Sequence, residues 1–303
     1  MNKLEELSKN SQENYQRYLN RMTESMKHST KGLIPSLVSN AKSILDVGCG
    51  SGVILEALEK ENKKASLTGL DLNIDAIEKL RTLGKEWKLY HMDFMDLTEE
   101  KYDAIIFSSI LHEISSYSKN IDIRFTEMPI FNSLIKANHL LEKDGIVIIR
   151  DGLLVPEKNW DRKLIISFND SKESAWLYRF QNDFRGFDKL NINKEIIEIS
   201  DNKFMVSEVF LKEFLYTYTW GSESYPREIN ERFGILTKEK WGELLKLSGF
   251  KIDTVIESPE EYEKYLSRQV QIYDQNGKAY VYPSMTVTIR AYKEKDLVKS
   301  KAN

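Results

Sequence analysis

From residue 43 the chain alternates short apolar runs with stretches of helical periodicity, and no other feature limits its possible folds so strongly. The runs are SILDVG, SLTGLDL, KLYHMDF, YDAIIFSSI and GIVIIRDG, and each ends close to a glycine, serine or aspartate. Continuous apolar runs of this length are typical of strands buried on both faces, and the helices between them supply the crossovers of parallel pairs. The sequence therefore predicts an α/β fold with a mainly parallel sheet and helices on both faces.

The segment after residue 236 predicts the remaining elements of the sheet. Thr237 can cap a helix, and Gly249 stands just past its end. The strand KIDTVIES follows, and the last strand reads AYVYPSMTVTIRAY. The turn-rich DQNGK stretch before it favours an antiparallel connection, so we expect the sheet to end in a reversed edge strand.

Residues 153–236 are too long for an ordinary crossover and carry 15 of the 33 aromatic residues of the chain. We expect an inserted subdomain whose aromatics form a small core or a substrate-binding wall. The predicted organisation is an N-terminal helical lid (1–42), a cofactor-binding core (43–152), the inserted lid subdomain (153–236), the C-terminal completion of the sheet (237–294) and a tail (295–303).

Composition excludes several classes of protein. The chain has 44 Lys plus Arg against 47 Asp plus Glu, so its net charge of −3 provides no overall field for a polyanion. A single cysteine, Cys49, cannot form an internal disulfide, which fits a reducing compartment. No stretch approaches the roughly 18 apolar residues of a membrane span. We therefore expect a cytoplasmic protein without a membrane partner.

A glycine loop, Asp46-Val47-Gly48-Cys49-Gly50-Ser51-Gly52, follows the first strand and precedes a helix. A dinucleotide site would read G-x-G-x-x-G and would need glycine at position 53, where this chain has valine. The carboxylate of Asp46 would repel a pyrophosphate but suits a ligand with positive charge. Asp71, at the end of the second strand, can accept hydrogen bonds from both hydroxyls of a ribose.

In the order and spacing of DVGCGSG, GLDLN, HMDFMDL and YDAIIFSSILHEI, the chain resembles the class I S-adenosylmethionine-dependent methyltransferases. The resemblance covers residues 43 to about 152, and residues 237–294 match the closing elements of that family. It implies a Rossmann-like, mainly parallel seven-stranded sheet with an antiparallel last strand, and it implies S-adenosyl-L-methionine as the cofactor.

The same resemblance implies where the cofactor binds. The methionine part would lie against Asp46, the loop residues Gly48, Cys49 and Gly50, and the backbone near Ser108. Asp71 would hold the ribose, Leu72 would flank the adenine, and Asp93 with the Phe94 backbone would read the adenine edge. The leading helix resembles the lid of the family, so that Tyr18 or Arg21 would cover the cofactor.

His112 and Glu113 stand just past the carboxyl end of the fourth strand, where open α/β sheets bind ligands. His112 titrates near neutrality and can take a proton from the acceptor, while Glu113 can orient it or bind a cationic substrate. The alternative is a polar pair that caps the helix and shapes the pocket.

Two other mechanisms are disfavoured by residue type. The only thiol lies in the glycine loop, which argues against a cysteine nucleophile. Arg150-Asp151-Gly152 offers one carboxylate, whereas metal-dependent catechol enzymes carry more at this position. We therefore expect no metal.

Substrate contacts are expected from the mouth of the sheet and from the insertion: Tyr117, Arg150, Tyr218, Trp220 and Arg227. For Arg227 the alternative is a packed corner in which it pairs with Glu228. The predicted activity is methyl transfer to oxygen or nitrogen of a small or medium-sized acceptor. Two alternatives stay open: an RNA or tRNA methyltransferase, because the first 43 residues carry 7 Lys plus Arg against 4 Asp plus Glu, and a sensor that binds the cofactor without consuming it.

Overall fold

The computed structural model describes residues 29–98, 100–187, 192–258, 263 and 265–297. Its strands are β1 (Ser43–Val47), β2 (Ser66–Asp71), β3 (Lys88–His91), β4 (Tyr102–Ser108), β5 (Leu141–Gly152), β6 (Lys163–Phe168), β7 (Ile197–Ser200), β8 (Lys203–Ser207), β9 (Phe250–Glu257), β10 (Val270–Asp274) and β11 (Thr286–Lys293). Its α-helices are α1 (Ile34–Leu37), α2 (Val53–Glu61), α3 (Ile74–Arg81), α4 (Leu111–Ser116), α5 (Met128–Leu140), α6 (Ala175–Asp183), α7 (Glu208–Glu228) and α8 (Lys238–Leu247).

The main sheet has seven strands in the order β3-β2-β1-β4-β5-β11-β9. The pairs among β1 to β5 are parallel, whereas β11 runs antiparallel to both of its neighbours. This confirms the predicted Rossmann-like α/β fold with an antiparallel last strand. The strand order reverses between β1 and β4, and open α/β sheets bind their ligands at the carboxyl ends of the strands beside such a point.

Both faces of the main sheet are covered by helices because successive side chains of a strand point to opposite faces. In β4, Ile105 and Phe107 pack with α5 and α8, while Ala104 and Ile106 pack with α1, α2 and α3. The apolar runs read from the sequence are therefore strands that are buried on both sides. None of the helices among the described residues is both long enough and apolar enough to span a membrane.

A second, antiparallel sheet of four strands, in the order β10-β6-β8-β7, packs against α6 and α7. Its core is largely aromatic and includes Phe168, Phe180, Phe204, Phe210 and Phe214. Three of its strands come from the predicted insertion, but β10 comes from the range that the sequence analysis assigns to the main sheet. The second layer is thus built from two separate parts of the chain.

The last strand differs from its prediction in length and in position. It begins at Thr286, because Tyr282 and Met285 leave the main sheet for the core of the second sheet, and Pro283 between them has no N–H to donate. It also lies between β5 and β9 rather than at an edge. The expectation of a reversed edge strand was therefore wrong on the position of the strand and right on its direction.

Candidate active site

The glycine loop lies at the carboxyl end of β1, beside the point where the strand order reverses. Gly48 has φ +71°, and a Cβ atom there would come within 2.6 Å of the Ile110 side chain, so only glycine fits this turn. The N–H groups of Gly48 and Cys49 donate to the carbonyl of Leu70, at 2.7 and 3.0 Å. These bonds hold the loop against β2 and leave α2 to begin directly after it.

Two buried polar groups beside this loop lack a protein partner. Asp46 is 1% exposed and Ser108 is 5% exposed, and neither Asp46 Oδ2 nor Ser108 Oγ has a hydrogen-bond partner within the described part of the chain. Burial raises the pKa of Asp46 to about 8, the nearby charge of Lys31 lowers it, and that of Asp71 raises it. A buried acceptor without a donor is costly in a folded protein, which marks this position as one where a ligand can bind.

Asp71 is positioned by the loop itself. Its Oδ2 accepts from the N–H of Gly50 at 2.8 Å, and its Oδ1 accepts from the N–H of Asn73 at 2.8 Å. The next residue, Leu72, is 68% exposed and is therefore accessible to a ligand. Asp71 and Leu72, which are predicted to contact the ribose and the adenine, are adjacent at the end of β2.

Asp93 and Phe94 occupy the end of β3. The Asp93 carboxylate accepts from the N–H of Met95 at 3.0 Å and lies 3.4 Å from Lys119 Nζ, so it already caps a short helical turn. The Phe94 side chain is buried in the core, which leaves its backbone for the predicted contact. Tyr18 and Arg21, the predicted lid residues, lie outside the described residues.

His112, in the first turn of α4, is held by a carboxylate from the neighbouring strand. Its Nδ1 lies 2.6 Å from Asp151 Oδ1, and Asp151 Oδ2 accepts from the N–H groups of Leu111 and His112 at 2.8 and 3.2 Å. Burial alone would raise the pKa of Asp151, but the charge of His112 and these hydrogen bonds hold it below its ordinary value. Asp151, rather than the predicted Glu113, thus orients the imidazole.

The other ring nitrogen of His112 faces a second carboxylate. Glu231, 1% exposed, places Oε2 at 3.7 Å from His112 Nε2, and the ring of Phe233 stacks on the imidazole at 4.6 Å. Burial alone would lower the pKa of His112, but Asp151 and then Glu231 outweigh it and hold the pKa well above its ordinary value. The arrangement favours an imidazolium once a proton has reached Nε2.

Further carboxylates surround this ring. Burial and the charge of Glu231 raise the pKa of Glu113 to about 8 and that of Glu228 to about 7. Two of the predicted substrate residues lie in this group: Tyr117 donates to Glu231 Oε1 at 2.9 Å, and Arg227 pairs with Glu228 at 2.6 Å. The pairing foreseen as the alternative for Arg227 is therefore present. His112, Glu113 and Glu231 also have atoms of metal-ligand type within 4.8 Å of one another.

A cavity of about 730 Å³ opens between the carboxyl end of the main sheet and the helices of the second layer. Arg150 lines it from β5, where its Nε and Nη1 donate to Thr30 Oγ1 and Ser109 Oγ. Tyr218 and Trp220 line it from α7, and Asp151 forms part of the wall as well. This volume is in the range of pockets for drug-sized ligands.

Sequence reasoning did not assign three residues that make this site: Asp151, Glu231 and Phe233. For Asp151 a signal existed, since it stands at the carboxyl end of the strand beside the one that leads to His112. Glu231 and Phe233 follow α7 in a stretch with no recognisable motif. Their contact with His112 depends on how the second layer packs on the main sheet, and no local sequence pattern predicts that packing.

Comparisons with known proteins find similarity to methyltransferases. A family model described as a methyltransferase domain matches residues 44–122. The ribosomal RNA small subunit methyltransferase C of Shewanella oneidensis is 30% identical over 154 residues, which are 46% of this chain and 45% of that protein. The ubiquinone biosynthesis O-methyltransferase of Hydrogenovibrio crunogenus is 38% identical over 80 residues, 24% of this chain and 32% of that protein.

Among solved structures, an O-methyltransferase family protein from Burkholderia thailandensis has a similar fold. The TM-score is 0.51 at 8% identity, and the similarity covers 93% of this chain and 60% of that one. The chain spans 30% and 45% of the lengths of its ribosomal RNA methyltransferase relatives from Shewanella loihica and Shewanella oneidensis. The matched relatives differ in what their names say they act on, so the acceptor has to be argued from the site.

Proposed function

Since this chain belongs to the class I S-adenosylmethionine-dependent methyltransferases, we propose that it transfers a methyl group from S-adenosyl-L-methionine to a hydroxyl oxygen of a small-molecule acceptor. The observation that carries the proposal is the hydrogen bond between His112 Nδ1 and Asp151, at 2.6 Å, with Asp151 in the wall of the large cavity. A hydroxyl acceptor needs a base, and we assign this role to His112, which is 4% exposed and does not itself line the cavity but is held by Asp151, which does.

The residues beside the glycine loop fit the proposed cofactor. Asp46 Oδ2 and Ser108 Oγ are buried acceptors that an ammonium group can satisfy, and Asp71 presents a carboxylate where ribose hydroxyls can donate. Leu72 offers apolar area for a base ring. When bound, S-adenosyl-L-methionine supplies an electrophilic methyl group on a sulfonium centre.

The residues of the chain then have two tasks, which are to accept the proton of the acceptor and to stabilise the charge that results. His112 would take the proton of the acceptor hydroxyl as the oxygen bonds to the methyl carbon and the bond from that carbon to the sulfonium sulfur breaks, with a neutral thioether as the leaving group. Asp151 keeps the Nδ1 proton in place and, with Glu231, stabilises the imidazolium that results. Because burial and hydrogen bonds already fix both side chains, little reorganisation is needed at the moment of transfer.

The test is a screen of metabolite and RNA pools with isotopically labelled cofactor, followed by kinetics on the labelled fraction. We expect label in a small hydroxylated compound, and we expect His112→Ala to lower kcat while cofactor affinity stays within a few-fold. Since His112 must be neutral to accept a proton, and its pKa is raised, activity should increase with pH to well above 6.5. Activity that falls over this range would exclude His112 as the base.

Ribosomal RNA is the second candidate acceptor, and the names of the Shewanella relatives favour it. Label confined to RNA would replace the small-molecule proposal. A protein that binds the cofactor but labels neither pool would support the third reading, a sensor.

A further inference from the structure

The wall of the large cavity is unusually rich in aromatic side chains. They come mainly from α6 and α7, and they include Trp176, Phe214, Tyr216, Tyr218, Trp220 and Tyr225. Several are held by one another: Trp176 meets Tyr225 edge to face at 4.9 Å, and Phe214 stacks on Tyr218 at 5.2 Å. The wall therefore contains a preformed cluster of aromatic rings that hold one another in place.

A break in α7 shapes this wall. Gly221 has φ 75° and ψ −178°, a backbone conformation essentially restricted to glycine, and it divides the helix between Trp220 and Ser222. Trp220, Gly221 and Ser222 all line the cavity, and Tyr225 lines it from the part of α7 beyond the break. The break thus lets one helix contribute aromatic rings to the cavity from both of its parts.

The charges around the cavity leave no excess of either sign among the lining residues. The three cationic ones are Lys31, Arg150 and Arg268, and the three anionic ones are Asp151, Asp170 and Glu173. Several have partners within the protein, since Arg150 donates to Ser109 and Glu173 accepts from Tyr218. A phosphate-rich ligand would find no concentrated positive charge here, so the aromatic surface has to carry recognition.

We propose that the acceptor is a planar, uncharged aromatic compound with a hydroxyl group, such as a hydroxylated fused-ring system, bound against Trp176, Tyr218 and Trp220. This inference rests on the proposed function for the hydroxyl group but not for the binding of the ring. The ring occupies the part of the cavity formed by α6 and α7. The hydroxyl points to the end where Asp151 and Phe233, both in contact with His112, line the wall.

The test compares two unreactive probes of similar shape, 2-methoxynaphthalene and its saturated counterpart 2-methoxydecalin, by calorimetry on the full chain with demethylated cofactor present. Neither probe has an acidic proton, so the comparison reports ring recognition alone. We expect the aromatic probe to bind at least ten-fold more tightly. Trp176→Leu and Trp220→Leu should each reduce this preference at least three-fold, and Trp220→Phe should retain most of it.

Tyr178→Leu is the matched control, because Tyr178 lies on the same helix as Trp176 but packs on Phe204 outside the cavity. It should leave the preference unchanged, and cofactor affinity within three-fold shows that each variant is folded. Equal binding of the two probes, or displacement of the aromatic probe by an RNA oligonucleotide, would overturn the inference. Preferential binding of the aromatic probe without methyl transfer to any phenol would support the inference while refuting the proposed function.

Discussion

Asp151→Asn is the substitution that tests the proposed mechanism most directly. The new side chain has nearly the same shape, so the cavity and the fold of β5 are preserved. What it removes is the negative charge that accepts from His112 Nδ1 at 2.6 Å and from the N–H of Gly152 at 2.7 Å. Asparagine can also turn its amide nitrogen toward the ring and favour the wrong tautomer.

The expected loss follows from the type of hydrogen bond. A hydrogen bond to a charged group contributes about 1.5 to 3 kcal/mol, and each 1.36 kcal/mol of barrier changes a rate about ten-fold. We therefore expect kcat/KM to fall by about ten-fold to about 150-fold. The loss should be largest at high pH, where the imidazole is neutral in both proteins.

The pH profile gives a second signature of the same change. In the wild type the charge of Asp151 holds the pKa of His112 well above its ordinary value, so the increase in activity with pH comes late. Without that charge the pKa of His112 falls, and the increase in activity should shift to lower pH while its plateau drops. A purely structural role for Asp151 would lower the plateau without this shift.

The assay is methyl transfer from labelled cofactor to the acceptor that the screen identifies, followed over pH, with cofactor binding measured by calorimetry. Asp103→Asn is the matched control, since Asp103 also accepts from two backbone N–H groups, those of Lys42 and Ser43, but at the opposite end of β4. It should leave the pH profile unchanged. An Asp151→Asn protein with wild-type rates and an unshifted profile would refute the role assigned to the His112–Asp151 pair.

Three further predictions concern residues of the proposed cofactor site. Asp71→Ala should weaken S-adenosyl-L-methionine about ten-fold to a hundred-fold in calorimetry, because at least one charge-assisted hydrogen bond is lost; wild-type protein that binds NADH instead would refute the cofactor assignment. Since the pKa of Asp46 is raised to about 8, the group is protonated at neutral pH, and a cofactor ammonium should expel that proton. Calorimetry in buffers of different ionisation enthalpy should therefore show proton release below pH 8, and proton uptake would contradict it. Cys49→Ala should keep activity within about ten-fold, because burial raises the pKa of this thiol far above neutrality; complete loss of turnover with intact cofactor binding would indicate a covalent role.

Local sequence patterns were sufficient for the parallel strands of the main sheet and for the position of the glycine loop at the end of β1. The alternation of apolar runs and helices predicts parallel strands because the period of burial is set by the backbone within a few residues. Asp46, Gly48 and Asp71 could be read in the same way, since the carboxyl ends of neighbouring parallel strands meet at one edge of the sheet. The contact of Gly50 with Asp71 is the direct result of that geometry.

Only the tertiary structure decided the surroundings of His112 and the make-up of the second layer. Glu231 and Phe233 reach His112 from a distant stretch, Arg227 pairs with Glu228 instead of lining the cavity, and β10 leaves the C-terminal segment to pair with β6. None of these contacts follows from a periodic pattern in the sequence. Each depends on the docking of an aromatic core onto the end of the main sheet, and the free energy of such packing is shared among many buried side chains rather than encoded in any short motif.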